Sequence, residues 1–181
     1  MPLAIGTLPV TSPLFLAPMA GYTNLPFRLL LRELGGIGLC TTDLVNARSL
    51  LENHRKAFDL IRTTPADRPL AVQLYGANPE EMRDAALLLQ EHGYDAIDVN
   101  MGCPVRKICR SGAGSTLLEN LAAAQRLLST IVNAIRLPVT CKIRLGTPDQ
   151  VRALEDAGVA AITPSSSVKG KMGKSLAGEA A

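Results

Sequence analysis

The sequence predicts an α/β fold built on a parallel sheet, and three observations carry that expectation. Short apolar runs alternate with longer amphipathic stretches from Leu14 to Thr163, which is the pattern of successive βα units. Gly, Pro and Asn punctuate the junctions, where strands and helices must start and stop. Finally, 47% hydrophobic and 19% charged residues in a chain of 181 match one globular domain able to bury a proper core.

Taken in order, Leu14-Phe15-Leu16-Ala17, closed by Pro18, is the first predicted strand. A loop leads to a helix over Leu25 to Leu34, capped by Thr23 or Asn24, with Pro26 in its first turn, where a missing N–H costs nothing. Gly35-Gly36 ends it, Gly38 to Leu44 gives a second strand carrying Cys40, and a helix follows over Asn53 to Ile61. Pro69 to Leu74 is the third strand, and Asn78-Pro79-Glu80-Glu81 caps a helix reaching His92. Ala96 to Val99 is the fourth strand. A loop over Asn100 to Gly114 separates it from the longest predicted helix, Ser115 to about Ile135, whose buried stripe is Leu117, Leu118, Leu121, Leu128, Ile131 and Val132. Val139 to Ile143, a short helix from Pro148 to Ala157 and a sixth strand at Ala160 to Thr163 complete the pattern. Right-handed crossovers put every helix on one outer face if such a sheet curls into a barrel. Residues 165–181 carry neither period and are expected to be a disordered tail.

A net charge of +3 permits a nucleic-acid partner without arguing for one. Basic surface is local, at Arg106, Lys107 and Arg110, at Lys142 with Arg144, and at Lys169, Lys171 and Lys174; solvated charge is the default for each group. The four cysteines form no CxxC pair and lack a histidine at ligand spacing, which argues against a metal site. His54 and His92 read as surface residues of helices. No signal sequence or membrane-spanning run is evident, so the protein is expected to be cytoplasmic, with reduced thiols and no membrane partner.

Polar residues are out of place in a buried parallel strand unless they meet a ligand or sit at the rim. Gln73, Asn100, Lys142 and Arg144 recur at predicted strand ends. Gln73 or Asn100 could equally satisfy loop backbone, but an ammonium at Lys142 needs an anionic or polar partner. Arg144, one alternation further on, shares the face of Lys142. Cys103 lies in a Gly/Pro-bounded loop after a strand, where a barrel enzyme keeps its chemistry; by itself it is as readily a structural thiol as a reactive one.

The stretches Ala17 to Arg28, Val72-Gln73-Leu74-Tyr75-Gly76, Asp98 to Pro104, Gly112 to Leu118 and Lys142-Ile143-Arg144-Leu145-Gly146 resemble the tRNA-dihydrouridine synthases. The resemblance implies an FMN-bearing (β/α)8 barrel of the TIM type, of which about the first six βα units are present, followed in full-length members by a helical domain that helps hold tRNA. Carried over by position, Pro18, Met19 and Ala20 match the first flavin-contacting loop, Gln73 the flavin-contacting glutamine and Lys142 the flavin-contacting lysine. Cys103 matches the catalytic proton donor, and Asn100 an asparagine near flavin and target uracil. Arg144, Arg106 and Lys107 are assigned to substrate binding, the last two to tRNA phosphates. The implied reaction uses NADPH to reduce FMN, which gives a hydride to C6 of a uracil flipped out of tRNA before C5 is protonated. An ordinary thiol, with a pKa of about 8.5, is mostly protonated at neutral pH and suits that last step as a general acid.

Three departures from the family pattern are visible. About a dozen residues are missing between Gly146 and Glu155; Pro164, Ser165, Ser166 and Ser167 stand where the family has Val-His-Gly-Arg; and the chain ends where two further βα units, which hold the flavin phosphate in such barrels, should begin. The sequence is therefore read as a partial flavin-binding barrel over residues 1–164 without the helical domain, its open edges favouring self-association. The residues leave open whether the shortened segment still delivers a strand in register. They also leave open the choice between a tRNA-dihydrouridine synthase and a non-catalytic remnant or RNA-binding module. Another flavin-dependent ene-reductase is a third reading, disfavoured by the Asn100-Met101-Gly102-Cys103-Pro104 loop.

Overall fold

The central strands of the main sheet are buried on both faces, the requirement for a parallel sheet covered by helices, whereas the edge strand over Leu14–Leu16 is largely exposed. In a computed structural model describing residues 3–165, a hairpin absent from the sequence expectation comes first. Strand β1 (Ala4–Ile5) pairs antiparallel with β2 (Leu8–Pro9), turning at Gly6, whose φ of 57° suits glycine. The main sheet follows with β3 (Leu14–Leu16), β4 (Ile37–Thr41), β5 (Val45–Asn46), β6 (Leu70–Tyr75), β7 (Ala96–Met101), β8 (Val139–Arg144) and β9 (Ala161–Ser165). Its order is β3-β4-β6-β7-β8-β9, all parallel, with the short β5 also pairing β6. This is the curled half of a (β/α)8 barrel, with the six predicted strands in their predicted order.

The helices are α1 (Leu25–Leu34), α2 (Ala47–Leu51), α3 (Arg55–Ile61), α4 (Pro79–Glu91), α5 (Arg106–Cys109), α6 (Leu121–Val132) and α7 (Pro148–Asp156). Asn24 and Asn78 cap α1 and α4 as expected, each accepting a backbone N–H, with Pro26 and Pro79 in the first turns. Three expectations are corrected. The single helix from Ser115 to about Ile135 is two elements, a 3₁₀ stretch over Gly114–Glu119 and then α6. Asn120 divides them, because its extended backbone lets the side chain accept from Ala123 N at 3.1 Å, a cap competing with helix continuation. The buried stripe of α6 accordingly shifts to Ala124, Leu127, Leu128 and Ile131, and α4, with 13 residues against 12, is the longest helix. The helix over Asn53 to Ile61 begins only at Arg55, since Asn53 sits at φ 57°, and α2, capped by Asn46, precedes it unforeseen.

The segment after Gly146 suffices for a complete crossover. Thr147 and Gln150 close a reciprocal capping box on α7, and β9 then pairs with β8 from Thr140–Ala161 to Arg144–Ser165. The strand thus runs through Pro164 and Ser165, one residue beyond the expected domain boundary; the rest of the expected tail, with Ser166, Ser167, Lys169, Lys171 and Lys174, lies outside the described residues.

Two apolar clusters hold this together. The larger fills the space between the sheet's outer face and its helices, with Val72, Leu74, Ile97, Val99, Cys141 and Ile143 from the strands meeting Met82, Leu89, Leu127, Leu128 and Ile131 from α4 and α6. The smaller lies inside the curl, where Ile5, Leu8 and Val10 from the hairpin region pack on Leu39, Ala71, Ala96 and Ala161. Small alanines on the strands let the hairpin come close, so it plugs the interior near the strands' N-terminal ends. The opposite, C-terminal end is left for polar chemistry.

Candidate active site

The same alternation that sends Ile97 and Val99 outward sends Asp98 and Asn100 inward, and on β8 it sends Thr140 and Lys142 inward. Register sets Gln73 opposite Asp98, Asp98 opposite Thr140, and Asn100 opposite Lys142. The result is a buried chain of hydrogen bonds across three strands. Thr140 Oγ1 donates to Asp98 Oδ1 at 2.6 Å, Gln73 Nε2 donates to Asp98 Oδ2 at 2.6 Å, and Asn100 Nδ2 donates to Gln73 Oε1 at 2.9 Å. Asn100 Oδ1 in turn accepts from the backbone N–H groups of Gly102 and Cys103, at 3.3 and 3.0 Å.

Lys142 is half-buried beside this chain, and its Nζ makes no hydrogen bond among the described residues. It lines an interior cleft together with Phe15, Ala17, Pro18, Asp98, Thr140 and Thr163. Burial pushes the Lys142 ammonium down from its ordinary value, opposed by the nearby Asp98, while Arg144 adds to the lowering. Burial pushes the Asp98 carboxyl up, opposed by its two hydrogen bonds and by Lys142. On the outer side of β8 burial raises the Cys141 thiol to about 12, and the buried Cys40 is raised for the same reason.

Cys103 itself is half-buried on the loop above the sheet. Its carbonyl accepts from Ser115 N at 3.0 Å and from Cys109 Sγ at 3.4 Å, and Arg144 Nε fastens the preceding Gly102 carbonyl at 2.8 Å. Gly114 is required here, since at φ 65° a Cβ would lie 2.5 Å from the Cys103 carbonyl oxygen. Arg144 therefore braces the cysteine loop from β8. Arg106 and Lys107 are exposed on α5, a helix where the sequence suggested only loop.

The loop after β3 is pinned at both ends. Gly21 N donates to Asp43 Oδ2 at 2.6 Å, and Thr23 Oγ1 is bonded to both Met19 N and Met19 O. Arg28, fully buried, donates to Thr23 O, to Arg62 O and twice to the equally buried Asp67. Of the loop residues expected at a cofactor, Pro18 lines the cleft, while Met19 and Ala20 are exposed beside it. His54 and His92 are exposed, as expected. Among the described residues no group of three His, Cys, Asp or Glu side chains is placed to hold a metal ion, and no helix is long and apolar enough to cross a membrane.

Sequence reasoning brought together Gln73, Asn100, Lys142 and Cys103, which the fold gathers at one end of the sheet. It missed Asp98, Thr140, Asp43 and the Arg28–Asp67 pair. Asp98 had a legible signal, a carboxylate inside an apolar strand two residues before Asn100; Asp43 and Asp67 offered none, because their partners are distant in sequence.

The donor set suits a flavin, whose ring edge presents carbonyl acceptors and gathers negative charge on reduction. The half-buried Lys142 ammonium, which makes no hydrogen bond among the described residues and lies on the wall of a cleft it shares with Pro18, fits that edge, while the Gln73 and Asn100 carboxamides are bonded within the buried chain beside it.

Comparison with known proteins identifies relatives of the chain. The family model described as dihydrouridine synthase matches residues 15–163. The chain is 36% identical over 165 residues to tRNA-dihydrouridine synthase B of Xanthomonas campestris, covering 87% of this chain and 49% of that protein. It is 38% identical over 168 residues to tRNA-dihydrouridine synthase B of Escherichia coli, covering 88% and 51%, and 41% identical over 142 residues to that of Pseudomonas aeruginosa, covering 78% and 42%. The chain thus spans about half the length of these curated relatives. Among solved structures, the carboxyl transferase domain of Rhizobium etli pyruvate carboxylase superposes with a TM-score of 0.52 at 21% identity, covering 82% of this chain and 26% of that one, a likeness of fold alone.

Proposed function

The chain belongs to the dihydrouridine synthase family, and from that premise we propose that it carries the catalytic face of an enzyme reducing the C5=C6 bond of uridine in tRNA to 5,6-dihydrouridine. The proposal includes FMN as bound cofactor, NADPH as reductant, tRNA as substrate and the cytoplasm as location. The observation that carries it is the convergence of Gln73, Asn100, Lys142 and the Cys103 loop at the C-terminal ends of adjacent strands.

Bound FMN would supply hydride transfer from NADPH to the uracil ring. In this reading the Lys142 ammonium would stabilise the negative charge that the ring gathers on reduction, an effect worth most because the site is partly desolvated. The amides of Gln73 and Asn100 and the Pro18-Met19-Ala20 loop would help to hold the ring. The Cys103 thiol gives its proton to uracil C5. Its carbonyl and N–H are both tied down, which favours a fixed approach of the sulfur to a base flipped from the RNA. Arg144 acts through the Gly102 carbonyl it holds and also borders the substrate side. Arg106 and Lys107, exposed beside the same loop, meet tRNA phosphates.

The test is an absorbance spectrum of the purified protein, before and after addition of FMN, followed by a Cys103→Ala comparison. Bound flavin is expected. The variant is expected to keep oxidising NADPH while losing at least about 100-fold in dihydrouridine formation, the scale of a lost general acid. Failure to bind FMN sinks the proposal; unchanged tRNA reduction by the variant removes the role of Cys103.

A further inference from the structure

A carboxamide has two ends of nearly the same shape and opposite hydrogen-bonding character, so a buried Gln or Asn is oriented only by partners that can solely donate or solely accept. Both kinds are present here. The backbone N–H groups of Gly102 and Cys103 can only donate, and both reach Asn100 Oδ1. That turns Asn100 Nδ2 to Gln73 Oε1 and leaves Gln73 Nε2 as a donor 2.6 Å from Asp98 Oδ2. An ionised Asp98 can only accept, so every bond in the chain runs one way and ends on its carboxylate.

No other arrangement satisfies these groups if residue 98 loses its acceptor. Gln73 Nε2 is then stranded at a position only 1% exposed, which is expensive. Flipping Gln73 sets its donor against the Asn100 donor, and flipping Asn100 as well sets an amide against two backbone N–H groups. Asp98 is also the acid beside Lys142, with Arg144 and Cys103 the other ionisable groups near that ammonium. Burial disfavours both charges, and each relieves the other.

We propose that Asp98 is a positioning residue of this site, its carboxylate orienting the Gln73 and Asn100 amides and, through them, holding the backbone of Cys103. The chemical purpose of that order rests on the flavoenzyme reading above; the order itself does not.

The experiment compares Asp98→Ala, Asp98→Leu and Asp98→Asn, all in the full chain. Amide hydrogen exchange is followed at Gly102 and Cys103, and FMN is titrated by its fluorescence. Asp98→Ala is expected to speed exchange at those two amides by at least about tenfold and to weaken FMN binding by a similar factor, the scale of one stranded buried donor. Asp98→Asn keeps an oxygen for Gln73 and can donate its NH₂ to the Thr140 hydroxyl, so exchange should stay within about threefold of the parent. Asp98→Leu, similar in shape but without an acceptor, should exchange as fast as Asp98→Ala. Parental exchange at Cys103 in Asp98→Ala or Asp98→Leu overturns the proposal, as does equally fast exchange in Asp98→Asn; if Asp98→Ala does not fold, the Leu and Asn variants decide it. If the parent protein takes up no FMN, the flavoenzyme reading falls while the exchange comparison still judges Asp98.

Discussion

The two faces of the central strands are both buried, yet they are built on opposite rules. Outward, Ile97, Val99, Cys141 and Ile143 meet α4 and α6 in an unbroken apolar layer. Inward, one residue away in sequence, Asp98, Asn100, Thr140 and Lys142 form a polar layer in which each buried group has a named partner and one half-buried cation makes no hydrogen bond among the described residues. The apolar face is non-directional and tolerates exchange of similar volumes. The polar face is a single-solution network, in which one wrong atom strands several others.

The comparison breaks first where polarity is buried deepest. Arg28→Ala leaves Asp67 charged and fully buried and releases the carbonyls of Thr23 and Arg62. It is expected to cost about 3–5 kcal/mol in urea unfolding, and a loss below about 1 kcal/mol would place the pair among surface ion pairs. On the apolar face, Leu128→Ala empties space in the layer beneath β7 and β8. It should cost about 2–5 kcal/mol while leaving exchange at the Cys103 amide unchanged, since the inner chain has no side chain in common with it.

Lys142→Met sharpens the contrast by reversing its sign. Burial holds the Lys142 pKa below its ordinary value, so the folded state binds that proton less well than the unfolded chain. The resulting deficit is full at pH values below the lowered pKa and fades as pH rises through it toward the ordinary 10.5. The variant should therefore unfold at higher urea than the parent near neutral pH, by a margin that shrinks in alkali, while binding FMN more weakly. A variant both less stable and equally able to bind FMN would contradict the reading of Lys142. The smallest effect is one of order. Iodoacetamide should label the half-buried Cys103 and Cys109 before Cys40 and Cys141, which are fully buried and whose thiols burial holds above the ordinary range. Mass mapping that finds Cys141 modified first would mean that the outer layer opens more readily than the inner one.

Much of this was legible in advance because it is local. Strand order followed from apolar runs, helix starts from Asn24 and Asn78, and the sheet's polar end from the isolated Gln73, Asn100 and Lys142. Reading failed where local signals compete, as at Asn120, whose side chain can cap a helix or sit within one, and at Asn53, whose left-handed backbone only the packed chain reveals. The N-terminal hairpin was missed because its two-residue strands carry no period; it exists because the inner alanines offer a surface to cover.

What the sequence determined by itself is therefore the alternation: which residues face together along a strand, and which residue types are too polar for a plain core. The tertiary structure alone decided which polar residues meet. Gln73, Asp98 and Thr140 are separated by 25 and 42 residues, and the register of parallel strands, set by crossover helices and the packing beneath them, brings their side chains to bonding distance. Period and propensity are properties of neighbours along the chain, whereas a hydrogen bond between strands depends on a register that no single strand encodes.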